Sequence, residues 1–475
     1  MNNPIKFGTD GWRAIIAQDF TFDNVRICAQ ATADYLKQAK LAGRGLIIGY
    51  DTRFASEDFA AAAAEVVAGN GIKVSLCTRP APTPVVSYGV LARKAGGAII
   101  ITASHNPGQW NGFKVKSESG SSAPPETTAE IEKHIARIFP SGKIEHMPLA
   151  AALKEGKVEH LDLAPIYDEQ MARLVDLKAL RQAKLKIVLD PMYGAGSGYL
   201  KNLLGGGALD LVEIHGERNP LFPGMERPEP IAANLTALSA AVKQHGASVG
   251  LANDGDADRM GIVAENGVSL TPLQVFALLC LYLLEARGER GAIVKTITMT
   301  SMIYRLGEIF HVPVYETPVG FKYVAPIMLK ENALAGGEES GGYGFRGHVL
   351  ERDGILANLY FLDFMVRTGK TPSQLLDYLY SKVGTHHFNR RDITFNEADR
   401  PAVTERVNHH APQQIEGVKV ARIDTTDGFR FMLDDGSWLL IRFSGTEPVL
   451  RIYAEAGTPE RVEKLLAEGR KLAGV

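Results

Sequence analysis

The stretch LIIGYDTRFASEDFAAAAAEVVAGNGIKVSL, residues 46–76, decides the fold class. It begins with the apolar run Leu46–Gly49, passes through the polar triplet Asp51–Arg53 into an alanine-rich segment, and ends in a second apolar run, Ile72–Leu76. Short apolar runs rich in β-branched residues predict strands, and the alanine-rich segment between them predicts a helix. A strand, a helix and a strand in this order predict α/β layers.

The same order occurs twice more along the chain. The second copy has predicted strands at Lys186–Leu189 and Leu209–Ile214, and the third has them at Ala292–Ile297 and Val312–Tyr315. A helix is predicted between the two strands of each copy. The copies share little identity, and their spacing is too irregular for a solenoid. We therefore predict three related α/β domains.

The C-terminal part follows a different pattern. Gly428–Leu433 and Ser437–Phe443 are joined by an Asp-Asp-Gly turn, which predicts a β-hairpin. A further strand, Val449–Ala454, and an amphipathic helix, Pro459–Leu472, are predicted after it. This order predicts a small α+β domain. Polar stretches between the predicted elements place the four domains at residues 1–150, 151–265, 266–380 and 381–475.

Composition limits the classes of protein to which the chain can belong. Its 475 residues suffice for three or four domains. The net charge of −2 argues against a broad surface for nucleic acid or membrane, and nothing in the sequence predicts an oligomeric state. Its three cysteines lie far apart and have no spacing typical of a disulfide framework or a metal site, so we expect a reducing, cytoplasmic environment. The longest apolar run, Val275–Leu284, is too short to span a bilayer and predicts a buried helix.

Thr102–Pro107 (TASHNP) is the first segment that could carry chemistry. It follows the predicted strand Ala98–Ile101, so Ser104 lies at the carboxyl end of a strand, where ligands bind in open α/β sheets. The residues alone fit a nucleophile and an ordinary turn equally well, because Asn106-Pro107 is a common turn dipeptide. His105 suggests a hydrolase, but adjacent side chains are expected to point apart, which would make it a poor base for Ser104.

Asp254–Arg259 (DGDADR) follows another predicted strand and is the strongest single signal. The carboxylates of Asp254, Asp256 and Asp258 alternate along the chain and can converge on one hard cation. The segment resembles the start of a calcium loop, but it lacks the later glycine and the distal glutamate. The alternative is a solvated acidic turn. Magnesium suits a carboxylate site that also meets a phosphate oxygen, and Arg259 would then face a substrate phosphate or hydroxyl.

Two later segments have side chains suited to a phosphorylated sugar. Gly336–Gly344 (GGEESGGYG) offers carboxylates and a hydroxyl to sugar hydroxyls, although alone it reads as a solvated glycine loop. In Arg442–Pro448 (RFSGTEP), backbone amides beside Ser444 could bind an anion, and the arginine offers a fork suited to phosphate. Each of the four motifs lies in a different predicted domain. Their distribution predicts a cleft lined by a nucleophile, a metal loop, a sugar loop and a phosphate loop.

These motifs, in this order, resemble those of the α-D-phosphohexomutase superfamily, which contains phosphoglucomutase, phosphomannomutase and phosphoglucosamine mutase. The opening segment Phe7–Arg13 (FGTDGWR) is similar to the N-terminal signature of that family, and the resemblance covers nearly the whole chain. The resemblance implies three related three-layer α/β domains and a C-terminal α+β domain, like the TATA-box-binding protein in fold, around a central cleft.

The resemblance also implies a role for individual residues. Ser104 matches the phosphoserine, whose oxygen would complete a site for one Mg²⁺ held by the three aspartates. Lys114 and Arg13 match positions associated with proton transfer and charge stabilisation. The residues expected to contact the substrate are Arg259, Gly320, Lys322, Glu338, Ser340 and His348. The residues expected to hold the non-reacting phosphate are Arg442, Ser444, Gly445, Thr446 and Arg451.

The implied reaction interconverts hexose 1-phosphate and hexose 6-phosphate through a hexose 1,6-bisphosphate that turns end for end in the cleft. Glu338-Glu339-Ser340 is similar to the phosphoglucomutase form of the sugar loop, which favours glucose. Two departures from vertebrate-type phosphoglucomutases are Val319, where those enzymes have threonine, and a shorter C-terminal part. The alternatives are a phosphomannomutase, a phosphoglucosamine mutase or a glucose-1,6-bisphosphate synthase, and least of all a sugar-phosphate-binding protein without activity.

Overall fold

The computed structural model describes residues 3–8, 10–409, 412–444 and 449–475. Within these ranges the chain forms four sheets, of which the first has the strand order β1-β5-β4-β2-β3-β6 once its elements are numbered along the chain. The elements of this first domain are β1 (Trp12–Ile15), α1 (Phe22–Gln38), β2 (Leu46–Tyr50), α2 (Ser56–Gly69), β3 (Val74–Cys77), α3 (Thr83–Arg93), β4 (Ala98–Ile101), β5 (Trp110–Lys116), α4 (Pro125–Ser141), α5 (Leu149–Lys154) and β6 (Val158–Leu161).

The second and third domains follow in the chain. The elements of the second are α6 (Ala164–Leu174), α7 (Leu177–Gln182), β7 (Lys186–Asp190), α8 (Tyr199–Leu204), β8 (Asp210–Glu213), α9 (Thr236–His245), β9 (Val249–Asn253), β10 (Met260–Ala264) and β11 (Ser269–Leu270). The elements of the third are α10 (Pro272–Leu281), β12 (Ile293–Thr296), α11 (Met302–Phe310), β13 (Val314–Thr317), α12 (Phe321–Glu331), β14 (Ala335–Gly337), β15 (Tyr343–Phe345), α13 (Gly354–Thr368) and α14 (Pro372–Val383).

These three domains share one arrangement of strands. Their sheets contain the orders β5-β4-β2-β3, β10-β9-β7-β8 and β15-β14-β12-β13. In each order, the strand that comes first along the chain (β2, β7 or β12) pairs in parallel with the second and the third along the chain. The fourth strand along the chain returns antiparallel beside the third. The prediction of three related α/β domains from the three strand–helix–strand copies is therefore confirmed.

This arrangement explains where the predicted motifs lie. Because the first of the four shared strands (β2, β7 or β12) has neighbours on both sides, right-handed crossovers place the connecting helices on opposite faces of the sheet. A crevice then opens at the carboxyl ends of the first and third strands. Ser104 follows β4, Asp254 follows β9 and Glu338 follows β14, each of which is the third along the chain of the four strands that the domains share. The repeated fold thus puts the three motifs at equivalent positions.

The C-terminal domain is an antiparallel sheet with a separate core. Its elements are β16 (His387–Thr394), α15 (Arg400–His409), β17 (Gln414–Ile415), β18 (Val418–Asp424), β19 (Phe429–Leu433), β20 (Trp438–Phe443), β21 (Val449–Ala456) and α16 (Pro459–Ala473), in the strand order β16-β21-β20-β19-β18-β17. The predicted hairpin is β19–β20, in which Phe429 pairs with Ile441, and α16 is the predicted amphipathic helix. The predicted α+β domain is confirmed.

The first sheet extends past the domain boundary that the sequence placed at residue 150. Strand β6 pairs in parallel with β3 and so completes the first sheet beyond the boundary placed at residue 150. Its short, half-exposed sequence at the edge of the sheet carries little apolar pattern, which explains why it was not predicted.

The buried run Val275–Leu284 is helical, as expected. No helix in the described ranges has both the length and the apolar character that a membrane span requires.

Candidate active site

Ser104 has an unusual backbone conformation, with a φ of 53° in the left-handed region. Its amide donates a hydrogen bond to Thr102 Oγ1 at 2.9 Å, which closes the turn after β4. Its hydroxyl donates to Asp254 Oδ2 at 3.1 Å, across the boundary between the first two domains. The nucleophile and the metal loop that the sequence predicted are therefore in direct contact.

His105 lies closer to Ser104 than the sequence suggested. Its Nδ1 is 3.4 Å from Ser104 Oγ, so the expectation that the two side chains point apart is wrong. The left-handed residue turns the chain sharply between them and brings both side chains to the same crevice. Burial, and then the nearby charges of Arg259 and Arg13, hold the pKa of His105 well below its ordinary value. The imidazole is therefore neutral at pH 7.

The three aspartates form one buried cluster. Asp254, Asp256 and Asp258 can each direct one carboxylate oxygen to a point where these atoms lie within 4.8 Å of one another. Burial raises the pKa of Asp254 well above its ordinary value, and the charges of the other two aspartates add to the rise. Burial would also raise the pKa of Asp256, but the charge and hydrogen bond of Lys114 and the hydrogen bond of Thr83 together lower that pKa below its ordinary value. The cluster therefore holds negative charge away from water.

The donor set of this cluster fits a divalent cation. Within the part of the chain that the structure describes, Asp256 Oδ1 and Asp258 Oδ1 are buried and have no hydrogen-bond partner. Buried carboxylate oxygens without partners are costly, and hard cations such as Mg²⁺ are bound by oxygen ligands of this kind. The predicted ligands thus have both the arrangement and the open oxygens that a magnesium ion needs.

Lys114 is a buried cation that lies beside the aspartates. It lies on β5, and its Nζ is 2.8 Å from Asp256 Oδ2, 2.7 Å from Asp10 Oδ2 and 3.7 Å from Asp258 Oδ2. Burial alone would lower the pKa of Lys114, but the three carboxylates raise it above its ordinary value. The ammonium group therefore stays charged next to the metal loop, Asp254–Arg259.

The other two predicted cations are Arg13, which contacts the serine loop, and Arg259, which contacts the metal loop. Arg13, paired with Gly112 across β1 and β5, donates from Nη1 to Asn106 Oδ1 at 2.7 Å and so contacts the serine loop. Arg259 donates its backbone amide to Asp254 Oδ1 at 3.0 Å. Its Nη1 is 2.7 Å from Glu229 Oε1, so the guanidinium that was expected to face the substrate is held by a carboxylate.

The sugar loop meets the metal loop through an arginine. Arg352 places Nη2 2.8 Å from Asp258 Oδ2 and Nη1 3.5 Å from Glu338 Oε2. Burial raises the pKa of Glu338 to about 7, although Arg352 acts in the opposite direction. Ser340 is half-buried on the same turn, which the hydrogen bond from Glu338 N to Gly342 O closes at 3.1 Å. Glu338 and Ser340 thus lie together near the aspartates.

Sequence reasoning missed a second layer of charges behind these residues. Asp10 accepts from Arg352 Nη2 at 3.0 Å and contacts Lys114, while Lys116 Nζ is 2.8 Å from Glu351 Oε2. Asp10 lies in the FGTDGWR segment, Glu351 and Arg352 lie in the segment after His348, and Lys116 is two residues from Lys114. Charged residues that flank a motif in an otherwise apolar or glycine-rich context are the signal that could have found them.

His348 lies apart from this group. Its Nε2 is 2.9 Å from Asp353 Oδ2, and its ring stacks on Tyr88 with the centroids 5.1 Å apart. The side chain is 1% exposed, and Tyr167 donates to the same carboxylate. Asp353 caps α13, so this cluster secures the start of that helix. The placement of His348 does not support the expected contact with a sugar.

The predicted phosphate residues border the third domain. Arg442 Nε is 2.9 Å from Asp427 Oδ2, which also accepts from Val319 N and so links β20 to the segment that contains Gly320 and Lys322. Gly320, with a φ of 130°, precedes α12, and Lys322 lies in its first turn. Arg451 pairs with Arg442 across β20 and β21. Ser444 N donates to Val449 O, and Gly445 and Thr446 lie outside the described residues.

Comparisons with known proteins agree with this architecture. Family models of phosphoglucomutase/phosphomannomutase match the chain with α/β/α domain I at residues 4–141, domain II at 165–267, domain III at 271–383 and the C-terminal domain at 401–472. A phosphoglucomutase/phosphomannomutase of Thermococcus kodakarensis is 32% identical over 477 residues, with 98% of each chain covered. A phosphoglucosamine mutase of Frankia casuarinae is 30% identical, with 95% of this chain and 94% of the relative covered.

A solved structure from Thermus thermophilus, provisionally assigned as a phosphomannomutase, is 36% identical and superposes over 100% of both chains with a TM-score of 0.87. The relatives thus agree on the class of reaction and differ in the hexose for which they are named. With all four domains matched and full-length relatives above 30% identity, the chain belongs to the phosphoglucomutase/phosphomannomutase family of the α-D-phosphohexomutase superfamily and is an enzyme of the isomerase class.

Proposed function

We propose that this enzyme moves a phosphoryl group between O1 and O6 of a hexose by way of a phosphoserine at Ser104 and a hexose 1,6-bisphosphate. The contact of 3.1 Å between Ser104 Oγ and Asp254 Oδ2 carries the proposal. It places a hydroxyl at the edge of a buried carboxylate cluster, which also contacts the buried Lys114 through Asp256. An ordinary turn serine needs neither neighbour.

The chain's own groups supply most of what phosphoryl transfer requires. When the bisphosphate returns a phosphoryl group to Ser104, the bond from phosphorus to the sugar oxygen breaks and a bond to Ser104 Oγ forms. The proton that leaves Ser104 Oγ ends on the sugar oxygen, and His105 Nδ1, 3.4 Å from Oγ, can relay it. Lys114 and Arg13 supply positive charge beside the reacting oxygens.

Asp254, Asp256 and Asp258 are the residues that would hold one Mg²⁺. A divalent cation bound there would draw negative charge from the oxygens of the transferring phosphoryl group. Lys114 and Arg352 neutralise part of the charge of the cluster from behind, at Asp256 Oδ2 and Asp258 Oδ2. They leave the open oxygens of the aspartates available to the cation.

Glu338 and Ser340 are the groups that would read the sugar hydroxyls, and Arg442, Arg451 and Lys322 would hold the phosphate that does not react. The bisphosphate has to bind in two orientations, so the sugar loop can best read the C3–C4 edge, which stays in place when the molecule turns. Glucose and mannose differ at C2, so we expect glucose phosphates to be preferred and mannose phosphates to be used measurably. The Glu338-Glu339-Ser340 form of the loop supports this preference.

The test is turnover of glucose 1-phosphate, mannose 1-phosphate and glucosamine 1-phosphate side by side, with a trace of the matching 1,6-bisphosphate. A mutase needs only the trace, whereas a bisphosphate synthase needs a stoichiometric phosphoryl donor. Ser104→Ala should abolish turnover, and the exposed Ser119→Ala should not. Full activity of Ser104→Ala would refute the mechanism, and faster turnover of either other sugar would refute the glucose preference.

A further inference from the structure

The structure assigns to Arg53 the positioning of the serine loop Thr102–Pro107, a role that rests on the proposed function of Ser104. Arg53 follows β2, and the serine loop follows β4, so the two flank the crevice of the first domain. The side chain of Arg53 is 0% exposed, although arginine is seldom fully buried in a protein. A buried guanidinium needs partners, and these partners show what it does.

Four backbone carbonyls of the serine loop and its continuation accept hydrogen bonds from this one guanidinium. Nη2 donates to the carbonyl oxygens of Ser104 (2.7 Å) and Asn106 (2.6 Å), and Nη1 donates to those of Pro107 (2.8 Å) and Trp110 (3.0 Å). A guanidinium has five N–H donors in a planar fork, so it can serve a loop that turns around it. No other standard side chain has this geometry.

Arg53 is itself held in place by groups outside the loop. Its Nε is 3.1 Å from Asp51 Oδ2, and Asp51 Oδ1 accepts from Arg53 N and Ser56 Oγ, each at 2.9 Å. The ring of Phe222, from the second domain, lies 5.0 Å from the guanidinium carbon. With its orientation fixed on these sides, Arg53 can hold the loop to the core of the first domain.

The loop needs such support because of Ser104. A left-handed φ of 53° is unfavourable for a residue with a Cβ and persists only where the surrounding structure holds it. Arg53 binds the carbonyls of Ser104 and Asn106, on either side of the His105 turn. It thereby holds the conformation in which Ser104 Oγ points at Asp254.

The experiment compares Arg53→Met, which keeps an unbranched apolar stem without donors, and Arg53→Lys, which keeps the charge without the fork. Val67→Ala is the control, because it removes buried volume from α2 in the same domain without touching the loop. Three quantities are measured: hydrogen exchange of residues 102–112, the rate at which Ser104 takes phosphate from glucose 1,6-bisphosphate by intact mass, and kcat and KM.

We expect Arg53→Met to speed exchange of the loop and to slow phosphate transfer by about 100-fold, since a displacement of about 1 Å costs this much. Arg53→Lys should lose about 10-fold, and KM should stay within about threefold because the sugar and phosphate residues lie in other domains. Val67→Ala should lower the thermal midpoint and leave the transfer rate unchanged.

The outcomes separate this inference from the proposed function. If both Arg53 variants match the wild type in loop exchange and in transfer rate, the positioning role is overturned while the phosphoserine stands. If the wild type takes no phosphate, the proposed function fails, and loop exchange then decides alone: unchanged exchange in Arg53→Met overturns the positioning role, and faster exchange supports it.

Discussion

The ion pair between Lys116 and Glu351 offers a quantitative test of how the domains are held together. Lys116 lies on β5 in the first domain, and Glu351 lies between β15 and α13 in the third. Their charged atoms are 2.8 Å apart and both side chains are 0% exposed. Glu351 Oε2 also accepts from the backbone and hydroxyl of Ser122. Lys116→Met would remove the charge and leave a carboxylate buried between domains.

The expected magnitude follows from the pKa of Glu351. Burial alone would raise this pKa, but the charges of Lys116 and then Arg352 lower it to about 2. Compared with about 4.3 for an exposed glutamate, the difference corresponds to about 3 kcal/mol of stability, to which the charges of Lys116 and Arg352 both contribute. A depressed carboxyl pKa contributes stability above the unfolded value, and this stability is lost as the pH falls toward 2. Removing one partner of a buried ion pair generally costs about 3–5 kcal/mol of stability, which agrees with the value obtained from the pKa of Glu351.

The assay is urea unfolding at pH 7, followed by tryptophan fluorescence; Trp12 and Trp110 lie on β1 and β5 of the first domain, and Trp438 lies on β20. Lys116→Met and Glu351→Leu should each cost about 3 kcal/mol. The double variant should cost far less than their sum, because neither charge is then left alone. Single costs below about 1 kcal/mol, or a double cost that equals the sum within about 0.5 kcal/mol, would refute the reasoning.

Three further predictions concern the site and its surroundings. Asp256→Asn removes one negative charge from the aspartate cluster, so the affinity for Mg²⁺, measured by calorimetry, and the turnover rate should each fall about 100-fold. Activity of the wild type that survives complete chelation would contradict the assignment of a magnesium site. Because burial raises the pKa of Glu338 to about 7, its carboxylate forms as pH rises, so KM for hexose phosphate should fall between pH 6 and pH 8 in the wild type. Glu338→Gln should abolish this trend, and an unchanged trend would exclude Glu338 as its source. The hydrogen bond to Asp190 raises the pKa of His215, so the stability that the charged His215 contributes to the fold is present at low pH and lost as pH rises. His215→Ala should therefore lower the free energy of unfolding in urea by about 1 kcal/mol at pH 5.5 and by less at pH 8.5. An equal loss at both pH values would contradict this dependence on the charge of His215.

Local pattern was enough to predict the repeated strands and the aspartate cluster. Strands β2 and β4 lie in the interior of the first sheet, so their sequences are uninterrupted apolar runs that are visible without a structure. The alternating aspartates sit within five residues, so their convergence needs only one turn. By contrast, β6 is a partly exposed edge strand, and its pairing with β3 leaves little trace in its own residues.

The contacts that complete the site join residues far apart in the chain. Lys116 and Glu351 are separated by 235 positions, and Arg352 and Asp10 by 342, so no spacing rule connects them. The contact between Ser104 and His105 was missed for a different reason. Extended or ordinary turn geometry separates neighbouring side chains, whereas the left-handed φ at Ser104 depends on tertiary contacts, among them those of Arg53.

The most direct test of phosphoryl transfer through Ser104 is intact-mass analysis of fully active enzyme, followed by peptide mapping. After incubation with glucose 1,6-bisphosphate, we predict one added phosphoryl group per chain, located on Ser104, which disappears when excess hexose monophosphate is added. Fully active enzyme with no phosphorylated fraction, or with the phosphate on another residue, would contradict the account.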